Sequence, residues 1–171
     1  MPSRNPHLFD PTPILKDLQH VVYEKKDHIA YIRFNRPDRL NSLNQRMSLE
    51  MYSIWLDARR DKDVYVAIIT GTGRAFQAGR DVKELTEAHE RGEMVPRDNP
   101  ESIYHKVEAF PDLAEFNKPI IAAINGVCAG GGLSFMTRCH IRVMADDTYI
   151  TDGHLNVGQL TSPYRYIQDF G

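Results

Sequence analysis

The residues of this chain best placed to do chemistry gather in two glycine-rich stretches, GTGRAFQAGRDVKEL (71–85) and NGVCAGGGLSF (125–135). Each follows an apolar run and leads into a helical pattern. The first N–H groups of a helix lack partners within it, so they can face an anion or a developing negative charge. Glycine, without a Cβ, lets a ligand come close to that backbone. The same glycines also suit plain tight turns. Neither stretch continues as GKS or GKT, which excludes a phosphate-binding P-loop. GGGLSF lacks the third glycine of a dinucleotide-binding turn, which argues against a Rossmann-type site.

Side-chain chemistry is sparser. Gly132-Leu133-Ser134 is half of a G-x-S-x-G nucleophile elbow, but Met136 stands where the last glycine belongs. Asp146, Asp147 or Asp152 followed by His154 would complete the order Ser, Asp, His, so a serine hydrolase using Ser134 stays among the readings. An imidazole titrates near neutrality, which makes His154 a candidate general acid or base. A serine hydroxyl cannot act as a base at neutral pH. Ser134 could instead position a water, bond an acyl group, or simply pack at a helix start. The remaining histidines (7, 20, 28, 89, 105 and 140) show no metal-ligand spacing such as HExxH, so no metal is expected.

The elements that must position these groups alternate in type. Segments 20–25 and 28–34 are rich in β-formers about Lys26 and Asp27, which predicts a hairpin. Met47, Met51, Ile54 and Ala58 make one apolar stripe, which predicts a helix over Gln45–Arg60. Segments 64–70 and 120–124 are short apolar runs expected to be buried parallel strands, and 140–145 is a further strand candidate. Helices are expected from Asp81, over 101–116 and from about Leu133, with a loop over 91–99. Strands alternating with helices predict α/β layers with a largely parallel sheet. The proline-rich stretch 1–19 is expected to be a poorly ordered arm ahead of a core domain spanning 20–171.

The chain has 171 residues, 42% hydrophobic and 26% charged, the size and composition of one soluble domain. Its net charge of −2 forecasts no footprint for nucleic acid or a membrane surface, though a phosphorylated small molecule remains compatible. Cys128 and Cys139 are too few for a disulfide framework and are expected to be buried free thiols. The start of the chain lacks the apolar region of a signal peptide, and no apolar run approaches a membrane span. The expected compartment is the cytoplasm.

Taken together, NRPDRLNSLN (35–44), VAIITGTGRAFQAGRDVKEL (66–85), KPIIAAINGVCAGGG (118–132) and the stretch after Asp147 resemble the enoyl-CoA hydratase/isomerase, or crotonase, superfamily, across about residues 20–163 and in its order. The resemblance implies a spiral of ββα units, usually assembled as homotrimers or dimers of trimers. It implies acyl-CoA substrates, as in fatty acid metabolism, with coenzyme A entering as part of the substrate and no tightly bound cofactor. It also implies an oxyanion hole for the thioester made by the backbone N–H groups of Arg80 and Gly131. Arg39 and Leu40 fall in the family segment that lies along CoA. Ala78, Gly79, Asp81 and Gly130 frame the substrate-binding turns. Arg39 would offer a cation to a CoA phosphate.

The same resemblance exposes departures. Typical hydratases carry two glutamates that manage water and proton, and their places are held here by Ser134 and His154. Relatives that cleave carbon–carbon bonds share a histidine there but add an aspartate where this chain has Pro163. The family also continues beyond Gly171, so its C-terminal helical part is expected to be short or missing. Two functions remain from this comparison. One is a lyase or isomerase working through a thioester enolate with His154 as acid/base. The other is a catalytically silent subunit that binds acyl-CoA or a partner.

Overall fold

The structure, a computed structural model, describes residues 10–92 and 109–153. Strands β1 (Val21–Lys26) and β2 (Ile29–Phe34) form the expected antiparallel hairpin, with Asp27 and His28 at positive φ in its turn. Helix α2 (Gln45–Arg60) follows a one-turn helix, α1 (Thr12–Leu15), that lies within the stretch expected to be an arm. Ile14, Leu15 and Leu18 pack against the core, and fully buried Glu50 accepts the Gln19 and His20 N–H groups, both at 2.9 Å. The start of α2 is fixed by Asn44, whose side chain accepts the Met47 N–H at 2.9 Å. The anticipated stripe of Met47, Met51, Ile54 and Ala58 is fully buried, beside Trp55.

The long strands β2, β3 (Val66–Gly71), β5 (Ile120–Ile124) and β7 (Ile141–Met144) run parallel, and with β1 they complete a sheet of order β1-β2-β3-β5-β7. Three short strands make a second parallel sheet of order β4-β6-β8: β4 (Ala75–Gln77), β6 (Val127–Ala129) and β8 (Ile150–Thr151). The chain thus repeats one unit: a long strand, a tight turn, a short strand in the other sheet, then a helix. It recurs as β3–β4–α3 (Val82–Glu90) and β5–β6–α4 (Gly131–Met136), and β7–β8 opens another. This is the α/β spiral of ββα units that the sequence led us to expect.

Two expectations are corrected. The described end of the predicted 101–116 helix is a 3₁₀ turn, Pro111–Ala114, because Pro111 lacks an N–H and can only begin a helix. Helix α4 starts at Gly131 rather than Leu133, since glycines mask a helix start that tertiary packing imposes. Phe34, Phe76 and Phe135 join β2, β4 and α4 in one aromatic cluster, with centroids 5.6 and 5.0 Å apart and edge-on geometry. Among the described residues no helix is long and apolar enough to cross a membrane.

Candidate active site

Parallel pairing of β4 with β6 decides where the two glycine stretches go. Ala75 pairs with Val127 and Gln77 with Cys128, so both strands end on the same edge and their loops leave side by side. A Cβ placed on Gly79 would lie 3.5 Å from the Gly131 nitrogen and 3.6 Å from the Gly130 Cα. Gly79 has φ +97°, a conformation that L side chains rarely adopt. Gly132 sits tighter still: a Cβ there would stand 2.1 Å from the Gln77 carbonyl oxygen.

The Arg80 N–H has a defined direction. Leu43 donates its N–H to the Gly79 carbonyl at 2.7 Å and accepts the Asp81 N–H at 2.9 Å, a parallel bridge centred on Arg80. In such a bridge the central residue's own N–H and C=O face away from the partner strand. Among the described residues, neither the Arg80 N–H nor the Gly131 N–H finds an acceptor. The Gly131 donor is one of the first four N–H groups of α4, which have no partner inside the helix. The structure therefore brings Arg80 and Gly131, far apart in the chain, to neighbouring backbone positions. The Arg80 side chain is exposed.

Segment 37–44 closes against the same loop. Ala78 donates its N–H to the Leu40 carbonyl at 3.1 Å, which seats Leu40 beside Gly79. Asn41, fully buried at φ +57°, accepts the Arg36 N–H at 2.9 Å and donates to the Thr72 and Ala75 carbonyls at 3.0 and 2.8 Å. Arg39 stands 45% exposed, with its Nε 3.8 Å from Asp38 Oδ2. Asp81 is buried at the start of α3, where it accepts the Glu84 N–H at 3.1 Å and pairs with Arg36. Burial alone would raise its carboxyl. The Glu84 N–H and the Arg36 guanidinium outweigh that, with Arg39 adding to them, and hold it below the usual carboxylate range.

Ser134 lies half-buried in the first turns of α4, its carbonyl accepting from Arg138 Nη1 at 2.8 Å. Gly130 precedes the helix at φ +48° and its carbonyl accepts the Leu133 N–H at 3.0 Å. Asp146 and Asp147 are exposed in the turn between β7 and β8. His154 and Pro163 lie outside the described residues. The structure thus brings Leu40, Ala78, Gly79, Arg80, Gly130 and Gly131 together at one edge of the second sheet, with Arg39 next to Leu40 in the chain, Asp81 at the start of α3 and Ser134 in the first turns of α4. Sequence reasoning passed over Gln77, Arg36 and the Leu43 backbone. The available signal was a glutamine between Phe76 and Ala78, a polar residue in an otherwise apolar strand that would need partners once buried.

Comparisons with known proteins agree with this architecture. The profile described as enoyl-CoA hydratase/isomerase matches residues 24–166. The (E)-benzylidenesuccinyl-CoA hydratase of Thauera aromatica is 35% identical over 125 residues, covering 72% of this chain and 46% of that protein. The mitochondrial Delta(3,5)-Delta(2,4)-dienoyl-CoA isomerase of Pongo abelii is 30% identical over 142 residues, covering 80% of this chain and 43% of that protein. The crystal structure of an enoyl-CoA hydratase/isomerase from Mycobacterium paratuberculosis superposes with a TM-score of 0.76 at 30% identity, covering 89% of this chain and 58% of that one. The chain spans about half the length of the curated relatives it matches.

Proposed function

Because the chain belongs to the enoyl-CoA hydratase/isomerase family, we propose that it receives the thioester carbonyl of an acyl-CoA between the N–H groups of Arg80 and Gly131. The observation that carries this reading is the apposition of Gly79 with Gly131, beside two N–H groups that have no acceptor among the described residues. Removing a proton next to a thioester, or adding water across the neighbouring double bond, builds enolate-like charge on the carbonyl oxygen. Donors already in place stabilise that charge, and losing one costs about 2.7–4 kcal/mol in the transition state. Backbone donors tolerate an arginine at position 80, provided its side chain points away from the carbonyl.

Proton transfer is assigned to His154, whose imidazole can give or take a proton near neutral pH. Ser134 holds a water or the acyl group. Arg39 offers its exposed guanidinium to a CoA phosphate, and CoA leaves with the product. One relative is named a hydratase and another an isomerase, so the reading is enolate chemistry on an acyl-CoA rather than one reaction of that class. Assembly as a homotrimer or a dimer of trimers is part of the same proposal. Turnover of an acyl-CoA panel tests it: His154→Ala should abolish product while leaving CoA-ester binding within a few-fold. Equal turnover in that variant would remove the histidine from the mechanism.

A second reading, an acyl-CoA-binding subunit without catalysis, is favoured by one observation. Ser134 stands in α4 where a carboxylate base is usual in the family. Tight binding across the panel with no product would select it.

A further inference from the structure

Gln77 is the last residue of β4 and is fully buried. Its side-chain amide closes a ring on a single residue: Oε1 accepts the Gly79 N–H at 2.8 Å, and Nε2 donates to the Gly79 carbonyl at 2.9 Å. That carbonyl also accepts the Leu43 N–H at 2.7 Å. The Gly79 C=O and the Arg80 N–H belong to one trans peptide plane, so they point in opposite directions. Whatever fixes the carbonyl therefore aims the N–H. Without such a grip, a peptide next to a glycine at φ +97° could rotate at little steric cost.

Gln77 also touches the second donor loop. Its backbone carbonyl lies against Gly132, and its Oε1 would stand 3.5 Å from a Cβ on Gly131. One residue thus bonds the peptide that carries the Arg80 N–H and packs against Gly131 and Gly132 of the second donor loop. We infer that Gln77 is a positioning residue, whose amide sets the direction of the Arg80 N–H and its separation from the Gly131 N–H. This rests on the thioester-binding reading above.

A chromophoric thioester, 4-(dimethylamino)cinnamoyl-CoA, reports the geometry, because its absorption moves to the red when hydrogen bonds polarise its carbonyl. The wild-type chain should bind it with a red shift that is flat with pH. Gln77→Met fills the volume without either hydrogen bond, and should lose about half or more of the shift while affinity changes less than about tenfold. Gln77→Glu supplies a second arm that does not depend on the first variant folding. A protonated carboxyl can accept from the Gly79 N–H and donate to its carbonyl, whereas a carboxylate repels that carbonyl. The red shift of Gln77→Glu should therefore return as pH falls and vanish as it rises.

A side chain that only filled the core would leave the shift at its wild-type size in Gln77→Met, which keeps the volume. Wild-type shift with an unaltered Gln77→Met spectrum, or a Gln77→Glu shift independent of pH, overturns the role of Gln77 and leaves thioester binding standing. A wild-type chain that binds the probe with no red shift, or does not bind it, overturns the thioester reading and this inference with it.

Discussion

Arg36 Nη2 lies 3.0 Å from Asp81 Oδ2, although 45 positions separate the two residues, and their side chains are only 11% and 6% exposed. Arg36 also donates to the Ser42 carbonyl at 2.7 Å and reaches Glu84 Oε2 at 3.4 Å. The pair links the end of β2 to the start of α3, and so flanks the peptide that carries the Arg80 N–H.

That pair sets a pH dependence. The Asp81 carboxyl is depressed in the folded chain, so its contribution is present above the unfolded value of about 3.9 and disappears as pH falls through the folded one. Asp81→Asn keeps an acceptor for the Glu84 N–H but removes the charge facing Arg36. It should cost about 1–3 kcal/mol at pH 7. Urea unfolding of both proteins should show the gap beginning to close below about pH 4 and vanishing once the pH falls through the depressed folded value, where the wild-type carboxyl is protonated too. A gap that widens on acidification would contradict the assignment.

The glycines of the second loop should differ sharply in tolerance. Gly132→Ala drives a methyl to 2.1 Å from the Gln77 carbonyl oxygen, a backbone atom that cannot swing aside. Its loss of stability should be about 3 kcal/mol or more. Gly131→Ala meets nothing closer than 3.5 Å and should fold with a loss of about 1 kcal/mol or less. Thermal melts of the two variants side by side would check the order.

Asn41→Ala removes a buried amide with three backbone partners: the Arg36 N–H and the Thr72 and Ala75 carbonyls. Alanine also fits poorly at φ +57°. The expected loss is about 3 kcal/mol. Because Asn41 neighbours Leu40, hydrogen exchange at the Ala78 amide should quicken well beyond the change at β5, which the mutation does not touch.

Both thiols should be inert in the folded chain. Cys128 and Cys139 are buried and free, and burial pushes each thiol up to about 12. The thiolate, the reactive form, is then scarce at neutral pH. Ellman's reagent at pH 8 should label neither cysteine until denaturant is added, and then both. Rapid labelling without denaturant would show that one of them is reached by solvent.

Much of the fold was readable in local periodicity. The β1–β2 hairpin and α2 emerge from residues within a few positions of each other, because side-chain spacing on one helix face or strand encodes burial directly. The apolar runs around β3 and β5 were equally visible, and so were both glycine stretches as places where backbone could meet a ligand. What escaped were the strands of the second sheet. At two or three residues, β4, β6 and β8 are too short to show a period. Their existence depends on hydrogen bonds between distant backbone groups, which carry no side-chain signature.

The same reason governs the candidate site. The types at positions 79, 80, 130 and 131 marked them as capable of holding an anion, and family resemblance paired them. Only the β4–β6 register places Gly79 against Gly131. Only burial gives Gln77 and Asn41 their partners, because a lone amide in the sequence does not say which carbonyl it will meet. By itself, the sequence determined which groups could do chemistry. The parallel pairing of two three-residue strands decided that they stand together.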